Sequence, residues 1–300
     1  MSCARAPGKL VLSGAYAVLS GAPALVAAVD RYVVADSGRP SEFDAPEVRA
    51  AIGEKAAPWF DASALRAGGK KLGLGSSAAI VVASLAVLEL DQSPGLDDEA
   101  LCTRVYERAR AAHRAAQGGG SGVDVASSAH GGVLVARRTR DGQLELGRAG
   151  LPPKLKFEVW ADATAASTSE FLARIRDLAL RDAPLHDERI AAQAAAAEVA
   201  LDAATRDHPA DFVAAIQLQV TALERLGEAA GIAIVTPAHA ELARLAAQQN
   251  AAFLPAGAGG GDVAYFVGPS EPVSEFGVQA RALGLTKLEL RLGARGVHGL

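Results

Sequence analysis

KLGLGSSAAIVVASLAVLEL, residues 71–90, is the stretch on which the fold turns. Gly73 and Gly75 run through Ser76 and Ser77 straight into a segment that is apolar on nearly every side. A helix with no polar face is a buried helix. Its first turn leaves backbone N–H groups without intrahelical acceptors, at the positive end of the helix dipole. Glycines ahead of it let another group approach without meeting a Cβ. Those are the requirements for cradling a polyphosphate, so Gly73, Leu74, Gly75, Ser76, Ser77 and Ala78 are the candidate phosphate-binding residues. The hydroxyls of Ser76 and Ser77 are also of the kind that binds phosphate oxygen or Mg²⁺. Two better-known glycine motifs fit less well. The pattern GxxxxGK[ST] is absent from the chain. GLGSSA does match the loose dinucleotide fingerprint, but that motif needs a strand directly upstream, where Gly68-Gly69-Lys70-Lys71 stands. On this motif alone, a plain turn before a core helix remains open.

Outward from this junction the chain alternates strand-like and helix-like patterns. Leu10 to Leu12 and Ala24 to Ala35 (ALVAAVDRYVVA) read as buried strands. A loop follows over 36–46 and a short helix around Glu47 to Lys55. Asp97 to Gln117 predicts a helix, with Asp97, Asp98 and Glu99 at its positive end and a stop at Gly118. GVLVARR (132–138) and FEVWA (157–161) read as strands, and RDG (140–142) as a tight turn. Thr168 or Ser169 is expected to cap a helix starting near Glu170, with alanine-rich helices at 187–205 and 209–229. Thr236-Pro237 is a helix start, threonine as cap and proline in the first turn. PAGAGGGD (255–262) leads into the strand VAYFV, and a helix near 272–283 precedes TKLELRL, read as a closing strand. Gly150 and Pro152-Pro153 break the pattern, which places a boundary between an N-terminal domain, 1–150, and a C-terminal domain, 151–300.

Bulk composition narrows the classes. Half of the 300 residues are hydrophobic and 21% are charged, which supplies a core and excludes a disordered chain. A formal charge of -4 argues against nucleic acid or an anionic membrane as partner. Cys3 and Cys102 are far apart and form no metal-ligand pattern. With neither a signal peptide nor a membrane-length apolar run, a soluble cytoplasmic protein is expected, as monomer or homodimer.

Three glycine-rich segments, APGKLVLSGAYAVL (6–19), KLGLGSSAA (71–79) and PAGAGGGDVAYF (255–266), resemble in this order the three signature motifs of the GHMP kinases. APGKLVLSGAYAVL, DASAL…KKLGLGSSAA (61–79), GGGSGVDVASSAHGGVLVAR (118–137) and ATAASTSEFL (163–172) look most like the phosphomevalonate kinase branch. The resemblance implies an α+β fold of two domains, the first like domain 2 of ribosomal protein S5 and the second ferredoxin-like. It implies ATP and Mg²⁺ as cofactors and a small alcohol bearing a carboxylate or phosphate as acceptor. The implied reaction converts phosphomevalonate to diphosphomevalonate in isoprenoid biosynthesis.

Carried over by residue, the resemblance puts the catalytic aspartate at Asp124 and its companion lysine at Lys9. It puts Tyr16, Ser167 and Thr168 beside the acceptor, and Gly257, Ala258 and Gly259 along the site. The metal would meet Ser76 and Ser77. Each residue also has a plainer reading. Lys9 could be a solvated lysine, Asp124 and Ser167-Thr168 helix caps, Tyr16 a core residue and Gly257 to Gly261 a turn. Ala15 stands where many relatives have glutamate, and His113 where mevalonate kinases have a metal-binding glutamate. His130, His186, His208, His239 and His298 are expected at the surface or in caps, and Trp59 and Trp160 in packing. Lys71, Arg137 and Arg138 are further candidates for holding an anionic acceptor. Alternatives are a mevalonate kinase or other GHMP kinase, a decarboxylase on the same fold, a non-catalytic binding module and a dinucleotide oxidoreductase.

Overall fold

The computed structural model describes residues 1–162 and 167–300. Its first half runs β1 (Cys3–Ser13), β2 (Ala24–Pro40), α1 (Pro46–Ile52), β3 (Pro58–Asp61), β4 (Arg66–Ala67), β5 (Lys70–Lys71), α2 (Ser76–Gln92), α3 (Asp98–Gln117), α4 (Val123–His130), β6 (Val133–Arg138) and β7 (Leu144–Arg148). The second half runs β8 (Lys156–Ala161), α5 (Thr168–Arg181), α6 (Ala183–Thr205), α7 (Pro209–Ala230), α8 (Pro237–Ala247), β9 (Ala252–Pro255), β10 (Val263–Gly268), α9 (Ser274–Ala282), β11 (Thr286–Leu288) and β12 (His298–Gly299). The class is α+β, as expected.

The chain forms two compact units. Unit 1 holds residues 1–10, 26–134 and 290–300, and unit 2 holds 11–25 and 135–289. Residue 150, where the sequence suggests a boundary, lies between β7 and β8. One sheet has the order β12-β1-β2-β6-β7, with β3 pairing with β2.

In unit 1, α2 is buried on all sides, with Val81, Val82, Leu85 and Val87 fully enclosed. At about 1.5–3 kcal/mol for each large apolar side chain, this packing holds the helix and so fixes where its first turn points. α3 shows the opposite pattern, burying Leu101, Val105, Ala109 and Ala112 on one stripe. Asp97 caps it by accepting from the Ala100 N–H at 2.8 Å, and Gly118 ends it in the left-handed conformation. Residues 290–300 return to this unit. Leu292 bridges Val29 and Arg295 bridges Gly131. Gly131 and Gly296 meet back to back, and a Cβ on Gly131 would stand 2.0 Å from the Gly296 nitrogen.

Unit 2 contains the antiparallel sheet β11-β8-β10-β9. Trp160, Phe253, Phe266 and Phe276 fill its core together with Leu242 and Leu285. Phe276 receives the other rings edge-on, with Phe266 at 5.2 Å, an arrangement that suits the aromatic quadrupoles. α6 and α7 pack along each other, and Thr236 caps α8 by accepting from the His239 N–H at 3.2 Å.

Three expectations are corrected. The cap of α5 is Ser167, whose Oγ accepts from the Glu170 N–H at 3.3 Å, so the helix begins at Thr168 and not near Glu170. The reason is the S-x-x-E spacing, which puts the hydroxyl under the third amide. TKLELRL is strand only over Thr286–Leu288, because the chain passes into unit 1 at residue 290. His239 and His298 are buried, not superficial. His239 lies 3.4 Å from the Asp162 carboxylate in unit 2, and His298 sits in β12 against Arg5. No helix among the described residues is long and apolar enough to cross a membrane.

Candidate functional site

Unit 1 gathers the phosphate-loop candidates, Lys9 and Asp124. Gly73 and Gly75 both have positive φ, at 71° and 74°, which makes the chain turn sharply into α2. Gly75 is the N-cap, and no side chain among the described residues caps the helix. The first amides of α2 are thus left to an outside acceptor. Leu74 and Ala78 are buried, so their contribution to such a cradle is backbone. The loop GLGSS is preceded by the two-residue strand β5, which among the described residues pairs only with β4, in an exposed hairpin. It lacks the buried parallel strand of a dinucleotide fold.

Lys9 is anchored to this loop twice. Its N–H donates to the Leu74 carbonyl at 2.9 Å, and its Nζ donates to the Gly73 carbonyl at 3.1 Å. Its neighbour must be glycine, since a Cβ on Gly8 would stand 2.7 Å from the Leu65 side chain and 2.8 Å from the Leu74 oxygen. The Lys9 stem in turn lies over Gly75, where a Cβ would meet its Cγ at 2.8 Å. A lysine so held is not the plain solvated residue that the sequence alone allows.

Asp124 lies in the first turn of α4, whose cap is Gly122, so the reading of Asp124 as the cap residue is corrected. One carboxylate oxygen accepts from the Val125 N–H at 3.0 Å. The other faces Nε2 of His113 at 3.5 Å, and the same nitrogen lies 2.9 Å from Ser77 Oγ. His113 therefore joins the loop serine to the carboxylate. Ser128 of α4 donates to the Pro7 carbonyl at 2.8 Å, tying this helix to the strand that carries Lys9.

Among the described residues no group of three or more His, Cys, Asp or Glu is placed to hold a metal. Ser77 and Asp124 are hard oxygen donors linked through one imidazole. That set fits an ion carried mainly by phosphates and water, as Mg²⁺ commonly is. Ser76 is buried at the start of α2.

Unit 2 holds the remaining candidates. Tyr16 has φ 64° and ψ -52°, and the Ala17 N–H donates to the Ala15 carbonyl at 2.8 Å. This is a γ-turn of the rare hand, costing about 1–3 kcal/mol, and such strain concentrates at functional sites. Tyr16 is buried and donates its hydroxyl to the Ala258 carbonyl at 2.5 Å. Burial pushes its phenol well above the ordinary range. Gly257 and Gly259 both have positive φ. A Cβ on Gly259 would stand 2.2 Å from the Ile234 carbonyl oxygen, which also accepts from the Gly260 N–H at 2.8 Å. Unit 2 thus brings Tyr16 against Ala258, while Ser167 and Thr168 open α5 at an exposed position. Residues 163–166 of the segment ATAASTSEFL lie outside the described residues.

Of the spare cations, Arg137 is engaged by Glu198 through two hydrogen bonds of 2.7 Å, which raise the guanidinium above its ordinary value. Lys71 is exposed in β5. Sequence reasoning missed Gln193 and Gln219, fully buried amides on α6 and α7 that bond the Ser13 hydroxyl and the backbone of Gly14 and Ala15. The only signal was a glutamine on the apolar side of each helix.

No protein-family model matches the chain, and no curated protein matches it by sequence. Solved structures do. A protein from Listeria innocua superposes with a TM-score of 0.85 at 21% identity, covering 99% of each chain. Streptococcus pneumoniae phosphomevalonate kinase, solved in complex with phosphomevalonate and AMPPNP, gives a TM-score of 0.79 at 18% identity, over 97% of this chain and 100% of that one. L. major mevalonate kinase, in complex with R-mevalonate, gives 0.69 at 16% identity over 94% of each chain.

Proposed function

We propose that this chain, whose fold is that of the GHMP kinases, is an ATP-dependent small-molecule kinase. The observation that carries the proposal is the construction of unit 1. An uncapped, buried helix is entered through two left-handed glycines, and Lys9 is fastened to the glycine loop by main chain and side chain alike. Asp124 is linked to the same loop through His113 and Ser77.

In this reading the amides of Ser76, Ser77 and Ala78 receive phosphate oxygens of ATP. The Lys9 ammonium stabilises charge on the transferred group, in a geometry set in advance by its bond to Gly73. The Asp124 carboxylate orients or accepts the proton of the attacking acceptor oxygen. The acceptor oxygen bonds to the γ-phosphorus as the bond to the bridging oxygen breaks, and ADP leaves with that electron pair. No phosphoenzyme forms. Mg²⁺, held by ATP phosphates with Ser76 or Ser77, would neutralise phosphate charge. Catalysis rests on placement and on fixed charge, not on covalent chemistry.

The acceptor we favour is phosphomevalonate. Support comes from the motifs of residues 118–137 and 163–172, and from the higher TM-score to a phosphomevalonate kinase than to a mevalonate kinase, 0.79 against 0.69. Tyr16, Ser167, Thr168 and Gly257 to Gly259 are the residues we assign to the acceptor side. A coupled ADP-release assay of the purified chain with phosphomevalonate, mevalonate, homoserine and galactose tests this. Turnover of phosphomevalonate above the others is expected. Preference for another alcohol would move the chain to a different acceptor class, CO₂ release would make it a decarboxylase, and ATP binding with no turnover would leave a binding module.

A further inference from the structure

Gln219 of α7 and Gln193 of α6 lie beneath the turn that carries Tyr16, and neither is exposed. Gln219 Oε1 accepts from the Gly14 N–H at 2.9 Å and from Gln193 Nε2 at 3.4 Å, while its own Nε2 donates to Ser13 Oγ at 2.8 Å. Gln193 Nε2 also donates to the Ala15 carbonyl at 3.3 Å. The chemistry of the partners fixes these orientations. Turning the Gln219 amide over would set its NH₂ against the Gly14 N–H and the Gln193 NH₂. Turning Gln193 over would set its oxygen against two acceptors.

An apolar side chain would serve the packing of these helices better, because a buried amide is costly unless bonded. Gln193 Oε1 has no hydrogen-bond partner among the described residues, so part of that cost remains unrelieved. What the two amides secure is residues 13–15, the segment leading into the γ-turn at Tyr16. Gly14 there has φ 82°, and a Cβ would come within 2.1 Å of the Pro23 oxygen. Tyr16 then transmits the placement of the turn to the second glycine loop through its bond to Ala258.

We propose that Gln219 and Gln193 are positioning residues for the acceptor. They hold the Tyr16 turn in its strained form, and through Tyr16 they hold Gly257 to Gly259, so that both loops present one preorganised surface. This rests on the kinase reading above. It also gives Tyr16 a specific part, that of a strut between two loops, since its hydroxyl is already engaged by a backbone carbonyl.

The test combines amide hydrogen exchange with kinetics on the full chain. Gln219→Leu should speed exchange about tenfold in peptides covering both 13–18 and 256–260, segments far apart in sequence. It should raise the KM for the acceptor about tenfold or more, while the affinity for a fluorescent ATP analogue changes less than about twofold. Tyr16→Phe should loosen 256–260 and leave the amides of 13–15 slow. Gln219→Glu, which can still accept from Gly14 and Gln193 while Ser13 donates to it, should restore most of the protection. Unchanged exchange at 256–260 in Tyr16→Phe overturns the coupling, as does loosening of both loops with no change in acceptor KM. Should Gln219→Leu fail to fold, Tyr16→Phe and Gln193→Leu carry the same measurement. If the wild type phosphorylates no acceptor, the kinase reading falls, and the exchange data still decide whether the two loops move together.

Discussion

The glycine loop at 73–77 and the glycine loop at 255–262 are built by similar means and end in different states. Each accepts a side-chain hydrogen bond from the first glycine motif, Gly73 from Lys9 and Ala258 from Tyr16. In the first loop, the atoms nearest a Cβ on Gly75 belong to the flexible stem of Lys9, and the amides beyond it open into a helix that no described side chain caps. In the second, Gly259 is pressed against the backbone of Ile234, Gly260 bonds the same carbonyl, and Ala256 donates to the Val263 carbonyl. One loop keeps its donors for a visitor. The other uses its donors to hold its own shape. Glycine serves conformation in both, but of the two only the first leads into a helix whose opening amides no described side chain caps, as a polyphosphate site requires.

Substitutions can break this contrast. Asp124→Ala should lower kcat by about a thousandfold while nucleotide affinity stays within a few-fold, because a positioned base is worth about 10²–10⁴. A stopped assay paired with analogue binding measures both, and an undiminished rate would remove Asp124 from the chemistry. Lys9→Met should cost about a hundredfold in kcat, the scale of one preorganised charge donor. Gly259→Ala and Gly75→Ala then separate the loops directly. Both demand positive φ, at 77° and 74°. Gly259→Ala also drives a methyl into backbone, so about 2–5 kcal/mol of stability should go, seen as a lower unfolding midpoint with urea. Gly75→Ala meets the flexible Lys9 side chain first, and should cost about 1–2 kcal/mol of stability. Its larger effect should be on ATP affinity, since it displaces Lys9.

The smallest expected effect is one of pH, and it should fall on unit 1. Burial holds the His298 imidazole below its ordinary value, and neighbouring Arg295 and Arg5 add to this. Its Nδ1–H donates to the Gly296 carbonyl and its Nε2 accepts from Arg5 at 2.7 Å, so a second proton must displace the guanidinium. The unfolded chain then binds more protons than the folded one. Stability is complete above the ordinary histidine pKa of 6.5 and declines as pH falls below it. Hydrogen exchange between pH 8 and 5, corrected for intrinsic rate, should show β1 and β12 loosening while 255–262 stays protected. His298→Gln should flatten that dependence.

Much of this was legible in the sequence, for reasons that can be given residue by residue. Apolar residues on every side of 78–90 can only be a buried helix, and threonine followed by proline at 236–237 can only with difficulty be anything but a helix start. Such signals are local. The misreadings come from contacts that are distant along the chain. TKLELRL is regular enough to be one strand, yet residues 290–300 return to a sheet begun at Cys3. His298 looks like a terminal surface residue until Arg5 is beside it. Gln193 and Gln219 sit in alanine-rich helices where nothing nearby announces a partner at residues 13–15. At α5 the plainer reading of Ser167-Thr168 as a cap holds at Ser167, and only the choice of Thr168 or Ser169 is out of register, since serine and threonine cap by the same chemistry.

The interlock of Gly131 with Gly296 has a consequence for synthesis. On the ribosome, residues 1–134 emerge long before 290–300, and until those last residues arrive the end of α4 lacks its neighbour and β1 lacks β12. Unit 1 can therefore finish only after translation has passed through the whole of unit 2. In the interval its uncovered strand edge needs a chaperone or a short waiting time, as unfinished sheets do in general.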